Sequence, residues 1–151
     1  MDDKISKFQT TSMRQPETNS YQASAFSRLR GLVMGELLVL LVELVTGVYI
    51  YLVGPGGIGQ ALHSAFGIVA GLLGIVLVVY SSKQSYPALF GYCILGTVWV
   101  AVAGVSGFLF VLGHYSNQVY TIGMGVSFVL SGFFFSEVLR ALRKAKAGQM
   151  R

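Results

Sequence analysis

Four apolar stretches run along the chain, at about 31–53, 61–80, 88–112 and 119–139, separated by short segments of Gly, Pro, Ser, Asn and Gln. Each is long enough to cross a hydrocarbon core, which takes roughly 20 apolar residues in a helix. The interruptions are helix breakers. Gly54-Pro55-Gly56-Gly57 ends the first stretch, a segment closing on Pro87 follows the second, and Gly113 to Gln118 follows the third. The short connections make consecutive spans antiparallel neighbours. The predicted fold is all-α, an integral membrane four-helix bundle of two helical hairpins. Three regions are expected: a polar N-terminal segment over 1–29, a four-span domain over 30–140 and a basic tail over 141–151.

Charge gives the bundle a direction. All 11 Lys and Arg residues fall on one side of the four-span arrangement. Lys4, Lys7, Arg14, Arg28 and Arg30 precede the first span, and Lys83 lies between spans two and three. Arg140, Arg143, Lys144, Lys146 and Arg151 follow the fourth. The two remaining loops, 54–60 and 113–118, carry no charged residue. Basic segments stay on the cytoplasmic side, so both termini are expected to face inward, in a prokaryotic plasma membrane. The net charge of +5 then serves topology and attraction to anionic lipid. Membrane lipids are expected partners and nucleic acid is not.

With 151 residues, 54% of them hydrophobic and 11% charged, there is no room for a separate soluble catalytic domain. No cleavable signal peptide is expected, because the first 27 residues are polar and the first apolar stretch is too long. Cys93 is the only cysteine, which excludes an intrachain disulfide and a cysteine metal cluster. It is expected to pack near one end of span three. Residues 1–27, rich in Ser, Thr, Gln and Asn, are open to two readings: disorder, or docking on a partner at the membrane surface.

The hairpins look like a duplicated unit. Gln60, His63 and Gly67 align with Gln118, Thr121 and Gly125, and Thr46-Gly47-Val48 aligns with Ala103-Gly104-Val105 after a one-residue shift. A pseudo-symmetric bundle follows, with Thr121 in the place of His63.

Two histidines are the first candidates for chemistry. His63 opens span two, and Gly67, Ala70, Gly71 and Gly74 share its helical face. An imidazole above a groove of small residues is what a flat porphyrin needs. The same Gly67, Gly71 and Gly74 also read as a seam that brings helices together without a cofactor, and spacing alone favours the seam. His114 ends span three, below a stripe of Gly96, Ala103 and Gly107. Spans two and three are antiparallel, so both histidines reach one membrane face, where two imidazoles can hold one haem iron. The competing reading of His114 is a solvated loop residue.

Glu36 and Glu43 are seven residues apart, on one face of span one. An ionisable group inside a membrane normally faces the bundle interior, a cavity or a partner. Proton relay, contact with a polar ligand and interhelical glue are the readings for Glu43, with Tyr, Thr, Trp99 or a residue on another chain as candidate donors. Arg30 or the basic tail is the expected partner of Glu36. Glu137 is expected to pair with Arg140, and Phe133-Phe134-Phe135 to face lipid or another chain. Tyr49, Tyr51, Tyr115 and Tyr120 at one interface, and Tyr80, Tyr86 and Tyr92 at the other, form an aromatic belt. No phosphate-binding loop, nucleophile–base set or zinc spacing is present.

The run Leu40-Leu-Val-Glu43-Leu-Val-Thr46-Gly47-Val48, a Gly/Pro turn and Ala61-Leu62-His63 resemble one hairpin of the haem A synthases. There, a polar residue and a Gly/Thr pair in one span precede a span that opens with a haem-ligand histidine. Compact archaeal forms of the family consist of a single four-helix half, the length of this chain. The resemblance covers about residues 37–79 and implies that His63 is an axial ligand and that two chains pair. Two positions depart from it. Gln60 stands where the catalytic hairpin has Glu, and Thr121 where the second hairpin has His. The resemblance therefore implies a b-type haem protein or a related subunit rather than an active synthase.

The leading expectation is a haem b protein associated with a respiratory chain, with His63 as ligand and His114, or His63 of a second copy, opposite it. The rival is a non-catalytic accessory subunit of a larger membrane complex. In that reading Gly67, Gly71, Gly74, Ala103 and Gly107 are packing positions and the partners are other membrane subunits. A small transporter with Glu43 in its path is a third reading, weakened by the lack of a mid-span Pro or a polar ring.

Overall fold

The predicted elements form where the apolar pattern places them. The computed structural model of the protein describes residues 15–84, 86–113 and 118–149, with side chains described over 24–84, 86–113 and 118–145. It contains helices α1 (Gln15–Val53), α2 (Gly57–Ser82), α3 (Pro87–Leu112) and α4 (Gln118–Gln149). All four are long and apolar enough to cross a membrane, and the fold is an all-α four-helix bundle.

Local chemistry ends each helix. The Gly54 N–H donates to the Ile50 carbonyl at 2.8 Å, and φ at Gly54 is +107°. This is a C-terminal cap that a β-carbon would strain. Pro55 then bars continuation, and Gly56 (φ +116°) and Gly57 (φ +62°) complete a turn that L side chains rarely adopt. At the other end of α2 the Gln84 N–H reaches the Ser81 carbonyl at 3.0 Å. Pro87 starts α3, where its missing N–H costs nothing.

Each helix packs on its neighbours in the ring α1–α2–α3–α4, and the ring closes between α4 and α1; α3–α4 is the closest pair and α1–α4 the sparsest. Phe26 meets Tyr86 with ring centroids 5.4 Å apart, so residue 26 lies level with the α2–α3 turn. Helix α1 runs about three turns beyond that level. The polar N-terminal segment and the first span are thus one continuous helix from Gln15, with Ala25, Phe26 and Leu29 already in the core.

The core is uneven along the bundle. Arg28, Arg30, Lys83, Arg140, Arg143 and Lys144 mark one end, here the basic end; the loops around Gly54–Gly57 and after Gly113 mark the neutral end. The buried apolar residues Phe26, Leu29, Val33, Leu77, Leu89, Cys93, Phe135 and Val138 lie between the basic end and mid-bundle. Toward the neutral end burial nearly stops. Described residues of α1 after Glu43, of α3 after Ala103 and of α4 before Ser127 contain no buried side chain, and α2 before Ala70 has only Gly59.

Two glycines let α3 approach α2 and α4 closely. A β-carbon on Gly74 of α2 would lie 2.9 Å from Thr97 Cγ2 of α3, and one on Gly96 of α3 would lie 2.8 Å from the Phe135 ring of α4. Because the helices come this near, hydroxyls cross between them. Thr97 Oγ1 shares its one hydrogen between the Cys93 carbonyl of its own helix at 2.8 Å and the Gly74 carbonyl of α2 at 3.1 Å, and Ser131 Oγ donates to the Gly96 carbonyl at 3.3 Å. The expectation that Phe133–Phe135 face lipid or another chain holds only in part. Phe133 is exposed, but Phe135 is fully buried against Gly96, because successive residues turn by about 100° around a helix.

Gly74→Ala and Gly96→Ala are each expected to lower the unfolding free energy by about 1–3 kcal/mol, as overpacking does. Gly91 and Gly125 have nothing within 4 Å of where a β-carbon would stand. Alanine there is expected to raise stability, by about 0.5–1 kcal/mol, because glycine inside a helix costs that much relative to alanine. Denaturant titration of the four variants in mixed micelles measures both.

Candidate functional site

The polar residues of the interior gather on the α1–α2 hairpin. His63 sits in the second turn of α2, half-buried, with its ring edge toward α1. Its Nδ1 lies 3.1 Å from the Glu43 carbonyl oxygen and 3.1 Å from Thr46 Oγ1. A carbonyl only accepts, so Nδ1 carries the hydrogen. The Thr46 hydroxyl spends its own hydrogen on the Val42 carbonyl at 2.9 Å or the Glu43 carbonyl at 3.0 Å. Thr46 Oγ1 is then free to accept from His63. Gly47 makes the approach possible: a β-carbon there would stand 3.3 Å from His63 Cε1. In the neutral ring this tautomer leaves the Nε2 lone pair available, and Nε2 has no hydrogen-bond partner among the described residues.

Glu43 is buried one turn below. Its Oε1 points at α2, 2.6 Å from where a β-carbon on Gly67 would be, so alanine there would push the carboxyl aside. The donors expected within the chain do not reach it. Thr46 and Thr97 give their hydroxyls to backbone carbonyls, and no described side chain hydrogen-bonds the Glu43 carboxyl.

Glu36 shares that face of α1 and is fully buried, as the spacing of seven predicts. The expected pairing with Arg30, or with the described part of the basic tail, is not formed: among the described residues neither carboxyl oxygen has a hydrogen-bond partner. Arg30 lies six residues earlier, about 120° around the helix, and is exposed. Glu137 does pair with Arg140 as expected, at 2.6 Å.

The small-residue groove below His63 is largely filled by protein. Glu43 occupies it at Gly67 and Thr97 at Gly74, and Ala70 is buried between them; Gly71 meets nothing within 4 Å. The stripe on α3 turns toward α4: Gly96 meets Phe135, Gly107 lies 3.2 Å from Met124 Sδ as measured to an added β-carbon, and Ala103 is buried. His114 lies outside the described residues. The correspondence between the hairpins stops short of their packing, since Gly47 and Gly67 meet His63 and Glu43 while Gly104 and Gly125 meet nothing within 4 Å.

Among the described residues no group of three or more His, Cys, Asp and Glu side chains is placed to hold a metal ion. Two residues escaped the sequence reading: Thr97, which seals Gly74, and Ser131, which bridges to Gly96. Their only signal was a hydroxyl inside an apolar span, a feature that alone does not name its acceptor. No protein-family model, curated protein or solved structure matches the chain.

Nitrogen NMR of histidine-labelled protein, with His114→Gln for assignment, is expected to show His63 protonated at Nδ1 and pyridine-like at Nε2. Thr46→Val should keep that tautomer, because the Glu43 carbonyl remains; Gly47→Leu should lose it, because the ring can no longer reach α1. A pyridine-like Nδ1 in the unmodified site would refute the assignment.

Proposed function

We propose that this chain is a small haem-binding membrane protein of a prokaryotic plasma membrane, with both termini cytoplasmic and with b-type haem held through His63 Nε2. The observation that carries the reading is the hydrogen bond from His63 Nδ1 to the Glu43 carbonyl. Metal-ligating histidines almost always donate their second nitrogen to a carbonyl, carboxylate or water, which fixes the tautomer and raises the basicity of the ligating one. The residues that the haem A synthase resemblance singles out, Glu43, Thr46, Gly47 and His63, are those that meet around this ring.

The filled groove at Gly67 and Gly74 excludes a macrocycle from the middle of the α2 face. The neutral end, with few buried residues, is the part of the bundle that supports one. The second axial imidazole comes from His114 or from His63 of a second copy. Bound haem b would supply one-electron redox chemistry, consistent with service in a respiratory chain. This chain's own part is to orient the ligand ring through Glu43 and Thr46. Hydroxylation of a haem methyl is not proposed, since Gln60 stands where the family's catalytic Glu would be. Confinement of the basic residues to one end supports the orientation.

One observation favours the rival reading, an accessory subunit of a larger complex. Gly31 and Gly35, four apart on α1, have nothing within 4 Å of their β-carbon positions. That spacing lets a helix of another subunit, or of a second copy, approach closely.

The deciding measurement is the absorption spectrum of protein purified with ample haem, oxidised and then dithionite-reduced. A reduced α-band is expected, abolished in His63→Ala; its survival in His114→Ala would assign the second ligand to another copy. A featureless spectrum from folded, haem-supplied protein would shift the reading to the accessory subunit. In that case Gly31→Leu should release the chain from the proteins that co-purify with it.

A further inference from the structure

Glu36 is the buried polar group that the haem reading does not use. Its side chain is fully buried and both carboxyl oxygens lack a hydrogen-bond partner. Its neighbours on the inward face of α1 are Leu29, Val33 and Leu40, all in the apolar core. An ionised carboxylate in such a place needs a compensating positive charge.

The described cations are elsewhere. Arg28, Arg30, Lys83 and Lys144 are exposed, Arg140 is paired with Glu137, and Arg143 reaches back to the Leu139 carbonyl at 3.4 Å. The helices packed against α1 contribute these groups at the basic end, together with Tyr80. Toward the neutral end they contribute His63 and Tyr120, and α3 carries Tyr86, Tyr92 and the buried Cys93. None of them is hydrogen-bonded to Glu36. The neighbouring charge that Glu36 feels is that of Glu43, and two carboxylates repel.

A hard metal cation is a poor solution. It takes about six or more oxygen ligands in its usual sites, and among the described residues no group of three or more His, Cys, Asp and Glu side chains is placed to hold one. A proton needs a single carboxyl oxygen. From the basic end toward the neutral end the polar interior then reads Glu36, Glu43, His63. The first two are about 10 Å apart along the axis of α1, and Glu43 lies beside the carbonyl that His63 contacts.

We infer that Glu36 is an intramembrane proton-binding site, sealed among Leu29, Val33 and Leu40 on the inward face of α1. The carboxylate takes its proton from a hydronium ion and the carboxyl returns it to water, one O–H bond breaking as another forms, and nothing is oxidised or reduced. The inference does not depend on haem.

Infrared spectroscopy of the full chain in liposomes tests it, with the amide band of each sample reporting its fold. The wild-type spectrum minus that of Glu36→Gln is expected to contain the carbonyl stretch of a neutral carboxylic acid, unchanged when potassium buffer is replaced by sodium. Glu36→Asp, which keeps a carboxyl at the site, should shift the band without removing it. After transfer to D2O the band should move down over minutes as the bound proton exchanges. Carboxylate stretches alone, an acid band that sodium abolishes, or an acid band that never shifts in D2O would overturn the proton site.

Discussion

The bundle depends on how closely three helices approach one another at Gly74 and Gly96. Lipid tails are as apolar as leucine, so burying apolar surface gives little drive for helices to associate inside a bilayer. Packing and interhelical hydrogen bonds must supply it. Here one arrangement supplies both. At Gly74 and Gly96 the missing β-carbon lets the Thr97 side chain and the Phe135 ring lie against backbone, and the hydroxyls of Thr97 and Ser131 reach the two glycine carbonyls. The junction ties α2 to α3 and α3 to α4. Helix α1 joins chiefly through α2, where Gly47 and Gly67 admit His63 and Glu43.

That junction explains why the interior is uneven. It sits at mid-bundle, and the apolar core extends from it toward the basic end. On the neutral side each hairpin keeps its own contacts, His63 against Gly47 in one and Met124 against Gly107 in the other. The described side chains there are otherwise half-buried or exposed. The ionisable groups of the α1–α2 hairpin therefore grade from a sealed environment at Glu36 to a more open one at His63. The ligand proposed at the histidine and the proton proposed at Glu36 would use the two ends of that gradient.

Much of this was legible in the sequence, and the limit of legibility has a physical cause. The span positions, the Gly54–Gly57 turn and the inward face of α1 follow from run length, from glycine and proline chemistry and from the spacing of Glu36 and Glu43. The inward faces of α3 and α4 did not follow. In a soluble helix polarity marks the outside, but in a membrane both sides are apolar, and Phe133 and Phe135 look alike until the fold separates them. Only small and polar residues break the symmetry, and they do so ambiguously. Gly96 and Gly107 share the stripe that ends at His114, yet both meet α4 rather than the helix that carries His63. The Arg30 partner expected for Glu36 failed for a simpler reason: nearness in sequence is not nearness around a helix.

The two hairpins show what separates scaffold from chemistry. They share Gln60 and Gln118, Gly67 and Gly125, and Gly47 and Gly104 at matching places, and both build an antiparallel helix pair. In the second hairpin Gly104 and Gly125 face open space, Thr121 replaces the imidazole, and the hydroxyls of Ser127 and Ser131 bond to backbone carbonyls. A hydroxyl inside a span can satisfy itself on a helix carbonyl at little cost. A carboxyl has no such local outlet, because a carboxylate only accepts and the helix offers carbonyls. The interior hydroxyls described in the second hairpin are therefore of a kind that packing alone accounts for. The carboxyls of the first hairpin, Glu36 above all, are of a kind that packing leaves unexplained, which is why both proposals rest on α1 and α2.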